Sequence, residues 1–343
     1  ILSFFLILSE TKTIFLSSDQ NFEDIRKVIS DNNIRIVLGF QGTPHKLQLS
    51  NLDGVDWVDV KTLDNYLFDS DIDQLFFHRL KKYELENISS SIFMSSGSTS
   101  HPKIIPLEYS NINFTYNSIK SQVFKNLDYE RIICIHDTSF VIVINFLQAF
   151  CSNKNSRIYG CDFNNAHLSI LTLVQTFKDE AKDLIITVPS VYSSIITIFD
   201  SNLPISTKSK SLISCGEPLT SKLAKQLAEG RPSSFFNLYG STELSTWILY
   251  LDVLKYLHSI KKTTAILPAG NVLPEIHLEL GNDNELLVCS DCVFKGYLNS
   301  RNINTFLYKR DIKYFRTGDQ FECHNKLFYC KGRLNNSIKI GGR

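Results

Sequence analysis

Short β-branched runs alternate along this chain with segments of helical periodicity, and that alternation restricts the fold more than any other feature. The run Ile34-Arg35-Ile36-Val37-Leu38 closes at Gly39, Ile132 to Ile135 is apolar throughout, and Leu184 to Val188 stops at Pro189. Amphipathic stretches lie between and around them: Phe22 to Ile29, Leu168 to Phe177 with Leu171, Val174 and Phe177 on one face, and Ser221 to Glu229 with Leu223 and Leu227 at i,i+4. Thr220 is placed to cap that last helix, and Gly230 and Pro232 to end it. Strands apolar on both faces belong to parallel sheets, whose crossovers supply the covering helices. The expectation is an α/β chain with mixed, largely parallel sheets flanked by helices. From about Leu267 the texture changes to short strands and turns, Ile276 to Leu280, Gly281-Asn282-Asp283-Asn284 and Glu285 to Val288, which predicts a small β-rich part.

Composition removes several function classes. Lys and Arg number 36 against 35 Asp and Glu, a formal charge of +1, so no global field favours nucleic acid or an anionic membrane surface. Any anion site must be local. Eight scattered cysteines in 343 residues do not form a disulfide framework, which predicts a reducing, cytoplasmic setting. The apolar start, Ile1 to Leu8, is too short to span a bilayer and lacks a basic flank, so no membrane span is expected.

One loop carries phosphate chemistry. Ser95-Ser96-Gly97-Ser98-Thr99-Ser100-His101-Pro102-Lys103 follows the apolar pair Ile92 and Phe93. Its small side chains let backbone N–H groups approach an anion, its hydroxyls add donors, and Lys103 adds a charge. The spacing is not Walker A, in which Gly-Lys-Ser/Thr opens a helix. A solvated Ser/Thr/Gly/Pro loop has the same composition.

Further stretches match in order. The loop resembles the phosphate-binding signature of the adenylate-forming superfamily, which includes acyl-CoA synthetases, nonribosomal peptide synthetase adenylation domains and luciferases. Asn237-Leu238-Tyr239-Gly240-Ser241-Thr242-Glu243 resembles its Tyr-Gly-x-Thr-Glu motif, and Tyr314-Phe315-Arg316-Thr317-Gly318-Asp319 its Tyr-Arg-Thr-Gly-Asp motif. Gly332-Arg333-Leu334 with Ser337 to Arg343 resembles the hinge motif. A weaker match joins Glu285-Leu286-Leu287-Val288 and Lys295-Gly296-Tyr297-Leu298 to the strand pair between the last two.

The resemblance implies two α/β subdomains and a β-rich one, divided at 1–88, 89–266 and 267–331, with 332–343 a stub of the hinge to a C-terminal lid. It implies a fragment that starts inside the first subdomain and lacks the lid. It also implies a reaction: carboxylate plus ATP gives acyl-adenylate and pyrophosphate, before transfer to a thiol of coenzyme A or a carrier protein. On this resemblance Ser95, Ser96, Gly97, Ser98, Thr99 and Lys103 hold the β- and γ-phosphates, and Thr242 donates to the α-phosphate. Glu243 holds Mg2+, Tyr239 stacks on adenine, and Gly216 and Glu217 line the adenine pocket. Asp319 accepts from the ribose hydroxyls, for which a carboxylate's two acceptor oxygens suit it, and Arg333 sits near ribose and phosphate. Lys103, Thr242 and Glu243 are thus the catalytic candidates.

The chain departs from the family pattern at Ser100, Ile104 and Asn335, where glycine, glycine and aspartate are usual. The first two reduce loop flexibility if either position needs positive φ. The family's catalytic lysine lies in the lid, so the chain is expected to bind ATP better than it turns it over. Asp137, Phe140 and Ser241 are the substrate-facing candidates. His136-Asp137-Thr138-Ser139 aligns with a motif of amino-acid activators, whereas Val141 to Leu147 resembles the apolar helix of fatty or aryl acyl ligases. An N-cap role for Asp137 also fits. The acid is therefore amino, fatty or aryl. Two rivals stay open: a non-catalytic ATP- or AMP-binding remnant, and a zinc module at Cys289-x-x-Cys292 with Cys323, His324 and Cys330, which lacks a second matching pair.

Overall fold

The computed structural model describes residues 13–14, 22–31, 36–39, 48, 51–53, 56–59, 90–95, 103–134, 141–153, 155–160, 166–199, 207–260, 264–298 and 305–334. Its first elements are β1 (Thr13–Ile14), α1 (Phe22–Asp31), β2 (Ile36–Gly39) and β3 (Asp56–Asp59). β2 and β3 pair in parallel. β1 runs parallel to β4 (Ser90–Ser95), which pairs antiparallel with β5 (Lys103–Glu108).

The central sheet has seven strands. It is laid down as α2 (Tyr109–Gln122), β6 (Arg131–Cys134), α3 (Ile142–Ser152), β7 (Arg157–Gly160), α4 (Ala166–Lys178), β8 (Asp183–Thr187), α5 (Pro189–Ile198), β9 (Lys210–Cys215), α6 (Ser221–Glu229), β10 (Ser234–Ser241), β11 (Thr246–Asp252), α7 (Val253–Ser259) and β12 (Asn271–Val272). The strand order is β12-β11-β10-β9-β8-β6-β7. β7 through β10 are mutually parallel, including β6, and β11 turns antiparallel to β10. A second, antiparallel sheet follows, built from β13 (His277–Leu280), β14 (Glu285–Cys289), β15 (Phe306–Lys309), β16 (Ile312–His324) and β17 (Leu327–Arg333).

Alternate residues of the apolar strands enter different cores, which explains why the strands read as unbroken apolar runs. Ile132, Leu184, Ile186 and Ile213 pack with Ile112 and Ile119 of α2 and Phe146 and Phe150 of α3. The same cluster continues into Leu286, Val288, Phe294, Phe315 and Phe321 of the β-rich part. Ile133, Ile185, Leu212 and Phe235 face the other way, against Phe177, Tyr192, Ile195, Leu223 and Leu227. The α/β class with an added antiparallel sheet is what the alternation implied.

Local punctuation differs in detail. Thr220 does cap α6, accepting from the Leu223 N–H at 3.3 Å. Gly230, however, has φ −69, and the left-handed turn falls on Arg231 at φ 59. Pro189 does more than stop β8: it starts α5, where its missing N–H costs no helix hydrogen bond. The N-cap of α3 is Val141, with no side-chain cap hydrogen bond. Among the described residues no helix is long and apolar enough to cross a membrane.

Candidate functional site

Among the described residues, Gly216, Tyr239, Thr242, Glu243, Asp319 and Arg333 collect where the C-terminal ends of β9 and β10 meet the β-rich sheet. That end of an open α/β sheet is where loops are free to meet a ligand. β9 ends at Cys215 and turns through Gly216 at φ +80. β10 bulges between Tyr239 and Gly240, and a Cβ on Gly240 would stand 1.7 Å from the Thr246 carbonyl oxygen. Glycine is therefore required for β11 to fold back so closely.

Thr242–Leu244 then forms one 3-10 turn, after which Ser245 and Thr246 take positive φ of 54 and 112. Such backbone persists only where neighbours over-determine it. Ser245 N–H donates to Thr242 O at 3.0 Å, Ser245 Oγ donates to Cys292 O at 2.8 Å, and Ser245 O accepts from Thr115 Oγ1 at 3.2 Å. The turn carrying Thr242 and Glu243 is thus clamped by α2 and by the chain around residue 292.

Glu243 and Lys103 approach one another through a third residue. Tyr297 Oη donates to Glu243 Oε1 at 2.8 Å, and Lys103 Nζ lies 4.9 Å from the centre of the Tyr297 ring. Burial pushes the Tyr297 hydroxyl upward and the Glu243 charge adds to it, so the phenol stays a donor at neutral pH. Phe294 N–H donates to Glu243 O at 2.9 Å, and Leu298 N–H to Ile104 O at 3.0 Å. Ile104 itself is a buried residue of extended strand β5, without positive φ, so the loss of the usual glycine there costs no special conformation.

A second group centres on Asp319. Tyr239 Oη donates to Asp319 Oδ2 at 2.6 Å, and Arg333 Nε lies 3.0 Å from Asp319 Oδ1. Burial and then the Asp319 charge hold the Tyr239 hydroxyl well above its ordinary range. The corner before Asp319 is shaped by Glu285, which is buried. Its Oε1 accepts from Gly318 N–H at 3.0 Å and its Oε2 from Arg316 Nε at 2.8 Å. Asp319 and Arg333 are also register partners of β16 and β17, so the sheet itself sets their approach.

A family model described as AMP-binding enzyme matches residues 2–298. The chain belongs to the AMP-binding enzyme family. Among curated proteins it is 24% identical over 255 residues to a D-alanine–D-alanyl carrier protein ligase of Staphylococcus epidermidis, covering 72% of this chain and 50% of that protein. The chain therefore spans about half the length of that relative. Among solved structures, the Vibrio cholerae adenylation domain AlmE in complex with glycyl-adenosine-5'-phosphate aligns with TM-score 0.76 and 19% identity, over 99% of this chain and 68% of that one. The Bacillus subtilis o-succinylbenzoate coenzyme A synthetase MenE, in complex with ATP and magnesium ion, aligns with TM-score 0.69 and 15% identity, over 97% and 66%. At these identities the two structures speak for the fold alone.

The AMP-binding motifs are thus divided into two groups, Lys103 and Glu243 that each contact Tyr297, and Tyr239 bonded with Asp319 and Arg333, joined through the continuous segment from Tyr239 to Glu243. Ser241 and Thr242 lie half-buried on that segment. Glu217 has other work: its carboxylate accepts from Ser190 N–H at 2.9 Å and Ser190 Oγ at 3.0 Å, capping α5, whose own N-cap offers no side chain. Ser95 ends β4. Ser96, Gly97, Ser98, Thr99, Ser100, Asp137, Phe140 and Asn335 lie outside the described residues.

Two residues of this family member gain roles that motif reading did not assign, Tyr297 and Glu285. Both stand in the weaker strand-pair match, where a tyrosine and an acid with no partner in view were the available signal. As for metals, among the described residues no three His, Cys, Asp or Glu side chains gather to hold an ion. A lone half-buried carboxylate such as Glu243 suits a hard cation that arrives with phosphate oxygens and water, as Mg2+ does. Cys292 is buried in the core, and burial pushes its thiol up to about 12.

Proposed function

We propose that this chain forms the nucleotide-binding body of an ATP-dependent carboxylate-activating ligase. The carboxylate oxygen of the acid attacks the α-phosphorus of ATP, the bond from that phosphorus to the bridging oxygen breaks, and pyrophosphate leaves; the acyl-adenylate then passes its acyl group to a thiol and releases AMP. The observation that carries this reading is the pairing of the two groups. Lys103 and Glu243 both contact Tyr297, and Tyr239, Asp319 and Arg333 are bonded together one strand segment away.

Charge dictates the division of labour. An anion attacking a polyanion needs fixed positive charge and donors at the phosphates. Lys103 would meet the β- and γ-phosphates with Ser95, Ser96, Gly97, Ser98 and Thr99, and the Thr242 hydroxyl would donate to the α-phosphate. Glu243 would hold Mg2+, which supplies neutralisation of phosphate charge when bound. Tyr239 and Gly216 would border adenine. Asp319 would take the ribose hydroxyls on lone pairs that Tyr239 and Arg333 leave open, since each carboxylate oxygen accepts twice. Glu217 would shape its wall indirectly, by anchoring α5.

The carrier-protein ligase among the relatives favours a small amino acid as substrate and a carrier-protein thiol as acceptor. ATP–pyrophosphate exchange with glycine, D-alanine, L-alanine, a fatty acid and an aryl acid tests the class, alongside calorimetric Mg-ATP binding. Absence of both binding and exchange would overturn the proposal. Glu243→Ala should weaken Mg-ATP binding by about tenfold, the scale of one lost charged contact. Unchanged binding would remove its metal role.

A further inference from the structure

We infer that Tyr297 is a positioning residue that holds Glu243 and Lys103 apart, so that carboxylate and ammonium both stay available to Mg2+ and the phosphates of ATP. The inference rests on the nucleotide reading above and adds a residue to it. An acid and a lysine that share one aromatic neighbour can close into an ion pair, and a carboxylate neutralised by lysine is a poorer ligand for a cation. Tyr297 prevents this with its two ends. The hydroxyl bonds one oxygen of Glu243, Oε1, at 2.8 Å, which orients the carboxylate without charging it. The ring face takes the Lys103 ammonium at 4.9 Å, a weak attraction that phosphate oxygens readily outcompete.

The spacer is itself fixed from both sides. Phe294, almost fully buried, packs edge-on against Tyr297 with ring centres 4.8 Å apart, and its N–H bonds the Glu243 carbonyl. At the other end Leu298 N–H bonds Ile104 O, the residue next to Lys103. Segment 294–298 therefore spans from the Glu243 turn to β5, and Tyr297 touches both charged groups.

The test is calorimetry on the 343-residue chain, comparing wild type, Tyr297→Phe and Tyr297→Leu with three probes: ATP at rising Mg2+, ATP with EDTA, and AMP alone. In Tyr297→Phe the ring remains and the hydroxyl goes, so the Mg2+ concentration for half-maximal enhancement of ATP binding should rise about tenfold while AMP affinity changes by less than about twofold. In Tyr297→Leu the lysine is released to pair with Glu243, and Lys103→Met should then cost less affinity than it does in wild type. An unchanged Mg2+ response in Tyr297→Phe, or an equal loss of AMP and Mg-ATP binding at an unaltered melting temperature, would overturn the inference while leaving the ligase reading intact. Failure of wild type to bind Mg-ATP would overturn both. Tyr297→Phe is conservative enough to carry the result should the leucine variant fold poorly.

Discussion

The two ends of the central sheet handle charge in opposite ways. At the N-terminal ends, Arg131, Asp183 and Lys210 are the first residues of β6, β8 and β9, and Asp179 joins them from the turn after α4. Lys210 Nζ reaches Asp183 Oδ2 at 2.6 Å, Ala181 O at 2.8 Å and Asp179 Oδ1 at 3.1 Å, while Arg131 bonds both acids. Lys210 and Asp183 are fully buried, and every charge faces its opposite. At the C-terminal ends the acids are held mainly by phenols, Glu243 by Tyr297 and Asp319 by Tyr239 together with Arg333, and two hydroxyls, Ser214 Oγ and Thr246 Oγ1, are buried without hydrogen-bond partners. A closed ionic network locks strand order and has nothing left to offer a ligand. Neutral donors orient a carboxylate without cancelling it. The difference separates the end that holds the sheet together from the end suited to bind.

Removing Asp183 should test that contrast most severely. Asp183→Ala takes the buried acid from fully buried Lys210 and half-buried Arg131, leaving them Asp179, and is expected to cost about 3–5 kcal/mol of unfolding free energy, read by denaturant titration; a cost below that of an ordinary surface substitution would break the comparison. Gly240→Ala acts at the other end, where the new Cβ has no room beside Thr246 O. It should lower stability by about 1–3 kcal/mol and reduce Mg-ATP binding together with it, whereas Asp183→Ala should leave the affinity of its folded fraction near wild type. Glu217→Ala removes the borrowed cap of α5 and should cost about 1 kcal/mol. Its effect on nucleotide affinity, measured by calorimetry, should be smaller than that of Glu243→Ala.

The smallest effect is acid dependence. Burial raises the Asp179 carboxyl, but hydrogen bonds from Arg131 and Lys210 outweigh it and leave the pKa below its usual value. A depressed carboxylate contributes stability that is complete above the unfolded pKa, near 4, and disappears as pH falls through the folded value. Asp179→Asn should therefore flatten the fall in unfolding midpoint as pH drops below about 4. A steeper acid limb in the variant would contradict the sign.

Legibility followed the range of the interaction. The strands at Ile132, Leu184 and Ile276, the helix from Ser221 and its Thr220 cap depend on local periodicity and local hydrogen bonds, so neighbouring residues announce them. Gly230 and Pro189 were visible as breakers, but which residue took positive φ and which began a helix depended on the chain beyond. The ionic network was invisible, since Arg131, Asp179, Asp183 and Lys210 are spread over 80 positions and any one of them reads as a solvated charge. The motif puts Glu217 in the adenine pocket, and its carboxylate also bonds the start of α5 from 27 residues away. Tyr297 lay in a quoted match without a role, because its partners Glu243 and Lys103 are 54 and 194 positions distant.

By itself, then, the order of residues determined an α/β chain with an antiparallel addition and a set of motifs that belong together, because periodicity, caps and glycine turns act over a few residues. Which charges meet was decided only in three dimensions. Parallel strands place their first residues side by side at one end and their last at the other, and the antiparallel sheet with the segment after β14 brings Asp319 and Tyr297 against the second end. That packing separates the neutralised charges from the available ones.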